Sequence, residues 1–174
     1  MGNLIKKVFA AVDKQLKLVG TLQNGCTCCF MMLEKQMSGQ TTMTVAHVGD
    51  SRVVLMNSGK AIRVTRDHKG SDPGEQQRVI EAGGTIKNDR VSGSLAVTRA
   101  FGDFFYKKCG VISEHEINVV PIGKDDQFML IATDGIWDVI QDQEACDIVA
   151  KALTVGSLAK GLEVLIQQAL EKGS

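Results

Sequence analysis

Four short apolar or β-branched runs follow one another with little between them: Cys26–Leu33, Thr41–Val48, Arg52–Met56 and Ala61–Thr65. The joints are Met37-Ser38-Gly39-Gln40, Gly49-Asp50-Ser51 and Asn57-Ser58-Gly59-Lys60, all rich in turn formers. Parallel neighbours need a crossover of about a dozen residues or more, and these joints are far shorter. The runs therefore predict strands of an antiparallel meander. Ile117–Ile122 and Phe128–Ala132 predict two further strands.

Helical patterning brackets the strands. Leu4, Ile5, Val8, Phe9, Val12 and Leu16 recur at helical spacing, which predicts a helix over Asn3–Val19, with Asn3 as cap and Gly20 at its end. Glu75–Ala82 reads as a short helix stopped by Gly83-Gly84. Asp142–Leu153 and Leu158–Lys172 read as closing helices, the second capped by Ser157. A run of strands followed by helices indicates an α+β fold with antiparallel sheet. At 174 residues the chain is expected to form a single domain over 1–174.

Lys and Arg total 20, as do Asp and Glu, so the formal net charge is zero. This argues against a broad electrostatic grip on nucleic acid or on an anionic membrane. The longest apolar runs fall well short of the roughly 20 residues that span a bilayer. Met1–Lys7 carries no secretory apolar region, and Lys6 stands where a myristoylation signal needs Ser or Thr. The cytoplasm is the default compartment, with the nucleus also open. In that setting the five cysteines predict no disulfide framework. Cys26, Cys28 and Cys29 lie in one strand-like run, with Cys26 and Cys28 on one face and Cys29 on the other. They are expected to be buried thiols rather than zinc ligands.

Three aspartates stand where strands end. Asp50 lies in the turn after Thr41–Val48; Asp134 follows Phe128–Ala132; Asp138 comes four residues later. Carboxylates at a sheet rim are held rigidly yet reach solvent, and several converging there suit a hard divalent cation such as Mg²⁺ or Mn²⁺. Asp is also a common turn former, so spacing alone leaves both roles open. Gly49 and Gly135 are expected to permit close backbone approach. Gly49-Asp50-Ser51 lacks a nucleophile-elbow pattern, and His47, His68 and His115 stand in unrelated contexts. Arg99 and Asp103 read as an ion pair fixing a loop. Arg63, Arg66, Lys69 and Arg78 read as solvated surface charge.

Taken in order, the motifs resemble those of the metal-dependent protein serine/threonine phosphatases of type 2C. Val45-Ala46-His47-Val48-Gly49-Asp50-Ser51-Arg52 is similar to the family's Gly-Asp-Ser-Arg turn, and Thr65-Arg66-Asp67-His68-Lys69 to its Asp-His-Lys loop. Glu81-Ala82-Gly83-Gly84 and Arg90-Val91-Ser92-Gly93 fit the segment around its flap. Leu95–Asp103 and Ala132–Val139 resemble its two most recognisable signatures. The resemblance implies a β-sandwich flanked by helices and two divalent cations, Mg²⁺ or Mn²⁺. These share a water, lower its pKa and place it for attack on phosphoserine or phosphothreonine. It implies that Asp134 is a shared metal ligand, and that Asp50 and Asp138 surround an additional, weaker site.

The departures carry equal weight. The family's phosphate-binding Arg, its Asp-Gly-His-Gly-Gly turn and its closing Asp-Asn turn have no counterpart here; His47 replaces a usual Asn and Gly70 a usual Pro. No catalytic residue is therefore assigned. The expected partners are a phosphoprotein substrate or signalling partner, with self-association through exposed strand edges. A chain of this make-up is expected to hydrolyse little by itself; the alternative role is a catalytically dead, phosphatase-like binding or regulatory protein.

Overall fold

The computed structural model describes residues 2–20 and 22–174; Met1, at the head of the N-terminal segment read above, and Thr21 lie outside the described residues. The chain begins with helix α1 (Gly2–Leu18) and runs through β1 (Gly25–Cys26), β2 (Cys28–Lys35), β3 (Thr41–Val48), β4 (Arg52–Asn57) and β5 (Lys60–Arg63). Next come α2 (Pro73–Glu81), the short strands β6 (Ile86–Lys87), β7 (Arg90–Val91) and β8 (Phe101–Gly102), and α3 (Phe104–Lys107). It closes with β9 (Glu116–Ile122), β10 (Asp126–Ala132), α4 (Asp134–Trp137), α5 (Asp142–Thr154) and α6 (Leu158–Glu171).

Two antiparallel three-stranded sheets, β2-β3-β9 and β10-β4-β5, pack face to face. Side-chain alternation sorts each strand between its two faces. Met43 and Val45 of β3 and Val53 of β4 point into the sandwich, with Cys29, Met31, Val120, Ile122 and Met129 around them. The opposite face of β3 presents Ala46 and Val48 to Ile5 and Phe9 of α1. The opposite face of β4 and β10 presents Val54, Met56 and Leu130 to Trp137, Ile140, Cys146, Val149 and Leu165. The α5–α6 contact is tight at Gly161, where a Cβ would lie 2.6 Å from that of Ala152.

The meander expected from the short joints is corrected. β3 and β4 do not pair; the Gly49-Asp50-Ser51 turn carries the chain from one sheet to the other. Gly49 makes the corner at φ 89°, and a Cβ there would sit 2.3 Å from the Thr27 methyl. A side chain is thus refused by both the backbone and the packing. Gly135 has no such role, lying within α4 without a positive φ. The run Cys26–Leu33 is likewise two strands, broken at Thr27. β1 pairs with β8 rather than β3, and Cys26 is exposed. Cys28 faces α1 and Cys29 faces the sandwich interior, as alternation requires. Burial pushes the Cys29 thiol up to about 11, as expected for a small apolar packing group.

A separate small core, Val79, Val91, Val97, Ala100 and Val111, supports the flap segment between α2 and β8. Beside it lies a charged node that the sequence did not reveal. Glu75 is 2% exposed. Its carboxylate accepts from Thr98 Oγ1 at 2.7 Å, Arg99 Nη2 at 2.6 Å and Arg78 Nη2 at 2.7 Å. Burial opposes its charge, but these donors win and hold the carboxyl far below the usual range. Arg99 is therefore the partner of Glu75, not of Asp103 as expected. Asp103 instead takes a left-handed backbone conformation at the start of α3, and burial raises its pKa.

Candidate metal centre

The Asp50 turn is gripped from several sides. His68 N–H donates to Gly49 O at 3.0 Å, and Gly49 N–H donates back to His68 Nδ1 at 3.1 Å. Thr27 Oγ1 and Ser51 Oγ share a hydrogen bond of 2.7 Å. The backbone around His68 is held in turn by Thr98 N–H, which donates to His68 O at 2.8 Å. The turn, the 65–69 loop and the 97–99 segment are thereby one hydrogen-bonded unit.

Arg52 ties that unit to the helices. Its buried guanidinium pairs with Asp67 and Asp142 at 2.5 Å each, and lies 5.1 Å from the Trp137 ring centroid. Trp137 Nε1 donates to Ala132 O at 2.8 Å, which fixes the exit of β10. Arg52 thus clamps the 65–69 loop, the start of α5 and the α4 turn around the place where Asp50 emerges. The planar fork of Arg suits this multiple docking in a way that Lys does not.

Of the three predicted ligands, Asp50 and Asp138 meet on a single cation, the Lys69 ammonium. Nζ lies 3.3 Å from Asp50 Oδ2 and 2.7 Å from Asp138 Oδ1. Asp134 is exposed at the first residue of α4, and its charge acts on Asp50. Burial pushes the Asp50 carboxyl up; Lys69 pulls it back, and Asp134 raises it further. Burial also works against the Lys69 charge, but Asp138 and Asp50 outweigh it and leave the ammonium above its ordinary value. The donor set is all oxygen, anionic and open to solvent on the Asp134–Asp138 side. That chemistry fits a hard divalent cation with water completing its shell.

The basic residues read as solvated are paired. Besides Lys69, Arg63 holds Asp142 at 2.7 Å, Arg66 reaches Asp72 and Glu116, and Arg78 holds Glu75. The histidines are also not unrelated. His47 and His68 stack with ring centroids 4.6 Å apart and planes 2° apart, and Glu116 joins them. Ligand-type atoms of His47, His68 and Glu116 lie within 4.8 Å of one another. The hydrogen bonds nevertheless argue for a supporting role. Since Gly49 N–H occupies the His68 Nδ1 lone pair, the ring proton sits on Nε2, facing Glu116 Oε2 at 3.4 Å. A neutral ring so protonated has no lone pair left for a metal. His47 Nε2 donates to Arg66 O at 2.8 Å, and its buried Nδ1 has no partner among the described residues. Burial lowers both rings, His68 to about 4, so the pair is neutral near pH 7.

No contiguous motif could have announced this stack, because the two histidines lie on β3 and on a loop of the facing sheet. The Lys69 contact was equally silent, since its partners Asp50 and Asp138 lie 19 and 69 residues away in the chain.

A sandwich of two antiparallel sheets between helices, with an acidic rim at the Gly-Asp-Ser-Arg turn and the Asp-Gly-Ile-Trp-Asp turn, defines the chain's class. The protein phosphatase 2C family model matches residues 2–174, and the chain belongs to that family. It is 39% identical over 186 residues to protein phosphatase 2C homolog 1 of Saccharomyces cerevisiae, covering 99% of this chain and 64% of that protein. With protein phosphatase 2C homolog 1 of Schizosaccharomyces pombe the identity is 44% over 154 residues, covering 84% and 43%. Among solved structures, a sex-determining protein of C. elegans superposes with a TM-score of 0.81 at 28% identity, covering 97% of this chain and 43% of that one. A serine-threonine phosphatase 2C of Toxoplasma gondii gives the same TM-score at 23% identity, covering 97% and 60%. The fold class is thus α+β, as expected. The chain spans between two fifths and two thirds of the length of these relatives. Among the described residues no helix is long and apolar enough to cross a membrane.

Proposed function

We propose that this chain carries the outer, weaker part of a type 2C metal centre, and serves the hydrolysis of phosphoserine or phosphothreonine in phosphoproteins. The observation behind this reading is the convergence of Asp50 and Asp138 on one ammonium, with Asp134 acting on the same carboxylate. Asp50, Asp134 and Asp138 are the residues that would hold Mg²⁺ or Mn²⁺, and such a cation supplies Lewis acidity to phosphate-ester hydrolysis. The chain's own contribution is positional. Arg52 and His68 fix the turns, and the sandwich keeps the three carboxylates on a rigid rim.

The sequence contains no Asp-Gly-His-Gly-Gly turn, and no Arg in the family's phosphate-binding position. These residues alone are therefore proposed to hydrolyse phosphate esters barely above background. A second reading is a phosphatase-like protein that binds phosphoproteins or signalling partners without turnover. The outer face of α1, with Leu4, Val8 and Val12 exposed beside Phe30 of the edge strand β2, is proposed to promote self-association. A strictly monomeric sedimentation profile at high concentration would oppose that last point.

The test of the metal reading is a Mn²⁺ titration of the parent chain beside Asp134→Ala, followed by calorimetry. The parent should bind weakly and the variant more weakly still. Equal binding would remove Asp134 from the site.

A further inference from the structure

The carboxylates assigned to a divalent cation already share a monovalent one. Lys69 Nζ stands 2.7 Å from Asp138 Oδ1 and 3.3 Å from Asp50 Oδ2, between the sheet-crossing turn and α4. Its placement is built in. The backbone at Lys69 forms an antiparallel bridge with Val97, and the preceding residue is hydrogen-bonded in both directions to Gly49. The Lys69 side chain is 24% exposed and that of Asp50 5%, so the ammonium caps an otherwise enclosed carboxylate; Asp138, at 58%, is reached from solvent. A divalent ion bridging Asp50 and Asp138 competes for the gap between them and for the oxygens, Asp50 Oδ2 and Asp138 Oδ1, that Lys69 now holds.

We propose that Lys69 is an internal competitor for the cation site: its ammonium neutralises Asp50 and Asp138 in the metal-free protein and must swing away for a divalent ion to bind. This rests on the reading of Asp50, Asp134 and Asp138 as the cation's ligands, and adds to it the residue that sets their affinity. Two consequences follow. The metal-free rim is not left as a bare cluster of repelling carboxylates, so the fold does not depend on metal to relieve them. Metal affinity is lowered by the free energy of breaking both ion pairs, and a neutral side chain at position 69 should raise it. Acetylation of Lys69, which removes the charge, would act in the same direction.

The experiment compares Mn²⁺ binding to the full chain, Lys69→Gln, Lys69→Arg and the double variant Lys69→Gln/Asp134→Ala. Free Mn²⁺ is read by electron paramagnetic resonance, and near-ultraviolet circular dichroism confirms that each variant is folded. Two partly exposed pairs are lost, so Lys69→Gln should tighten Mn²⁺ about tenfold. Lys69→Arg, which keeps the cation, should bind no tighter than the parent. The double variant should lose the gain. Parent binding with Lys69→Gln unchanged or weaker would overturn the competition while leaving the cation site standing. Failure of parent and Lys69→Gln alike to bind would overturn both. Binding by Lys69→Gln alone would support the competition in its strongest form.

Discussion

Replacing Glu75 tests whether the flap is held by charge or by its small apolar core. Glu75→Ala removes a buried carboxylate and strands three donors. Arg99 and Arg78 lose their only carboxylate partner in the node, with side chains 13% and 25% exposed, and the buried Thr98 hydroxyl loses its acceptor. Removing one member of a buried ion pair costs about 3–5 kcal/mol. The lower end applies, because both arginines keep backbone acceptors: Arg78 on Gly110 O and Thr98 O, and Arg99 on Glu114 O. A loss of about 3 kcal/mol, at a urea slope of about 2 kcal/mol per molar, moves the unfolding midpoint down by about 1.5 M. The pH dependence adds a second check. Glu75 titrates far below its ordinary value of 4.5 when folded, so its stabilising contribution is complete above that pH and fades as pH falls below it. The gap between parent and variant should therefore be full at neutral pH and narrow in acid. A midpoint shift under about 0.4 M at neutral pH, or a gap that widens in acid, would refute the view that the node carries the flap.

Gly49→Ala should destabilise the chain by about 2 kcal/mol or more, since it imposes a positive φ and a clash with Thr27; loss of Mn²⁺ binding should accompany the shift in urea midpoint. Leu165→Ala, at the α5–α6 core, should cost about 3 kcal/mol in the same assay without changing metal affinity. His68 titrates near 4 when folded against an ordinary 6.5, so the unfolded chain binds the extra proton first. Stability should therefore fall as pH drops from 6.5 towards 4, by up to about 1.4 kcal/mol per pH unit, and His68→Asn should show a shallower slope in urea unfolding across that window.

What could be read in the sequence was whatever is encoded locally. The bounds of β3, Thr41–Val48, follow from a run rich in β-branched and apolar residues between turn formers, and Asp142 and Ser157 mark helix starts through local chemistry, Ser157 capping through Lys160 N–H. Local patterning does not say which strands pair. The three-residue joint between β3 and β4 looked like a hairpin, but Gly49 turns the chain across the sandwich, and both strands take later partners, β9 and β10. The acidic trio was visible as residue types at strand ends. The Lys69 bridge, the His47–His68 stack and the Glu75 contacts with Thr98 and Arg99 were hidden, because each joins groups 19 to 69 residues apart. Electrostatic partners at that separation are chosen by the fold. Arg99 consequently passed over nearby Asp103 for Glu75.

The proposed metal rim is positioned by the fold but expected to be incomplete in residues 1–174. Hydrolysis by residues 1–174 is the decisive measurement. A phosphothreonine peptide and p-nitrophenyl phosphate, incubated with millimolar Mn²⁺, should be turned over barely faster than in buffer, while Mn²⁺ binding persists and weakens in Asp134→Asn. Robust Mn²⁺-dependent turnover by the same chain, abolished by Asp134→Asn, would contradict the claim and show that other residues complete the centre.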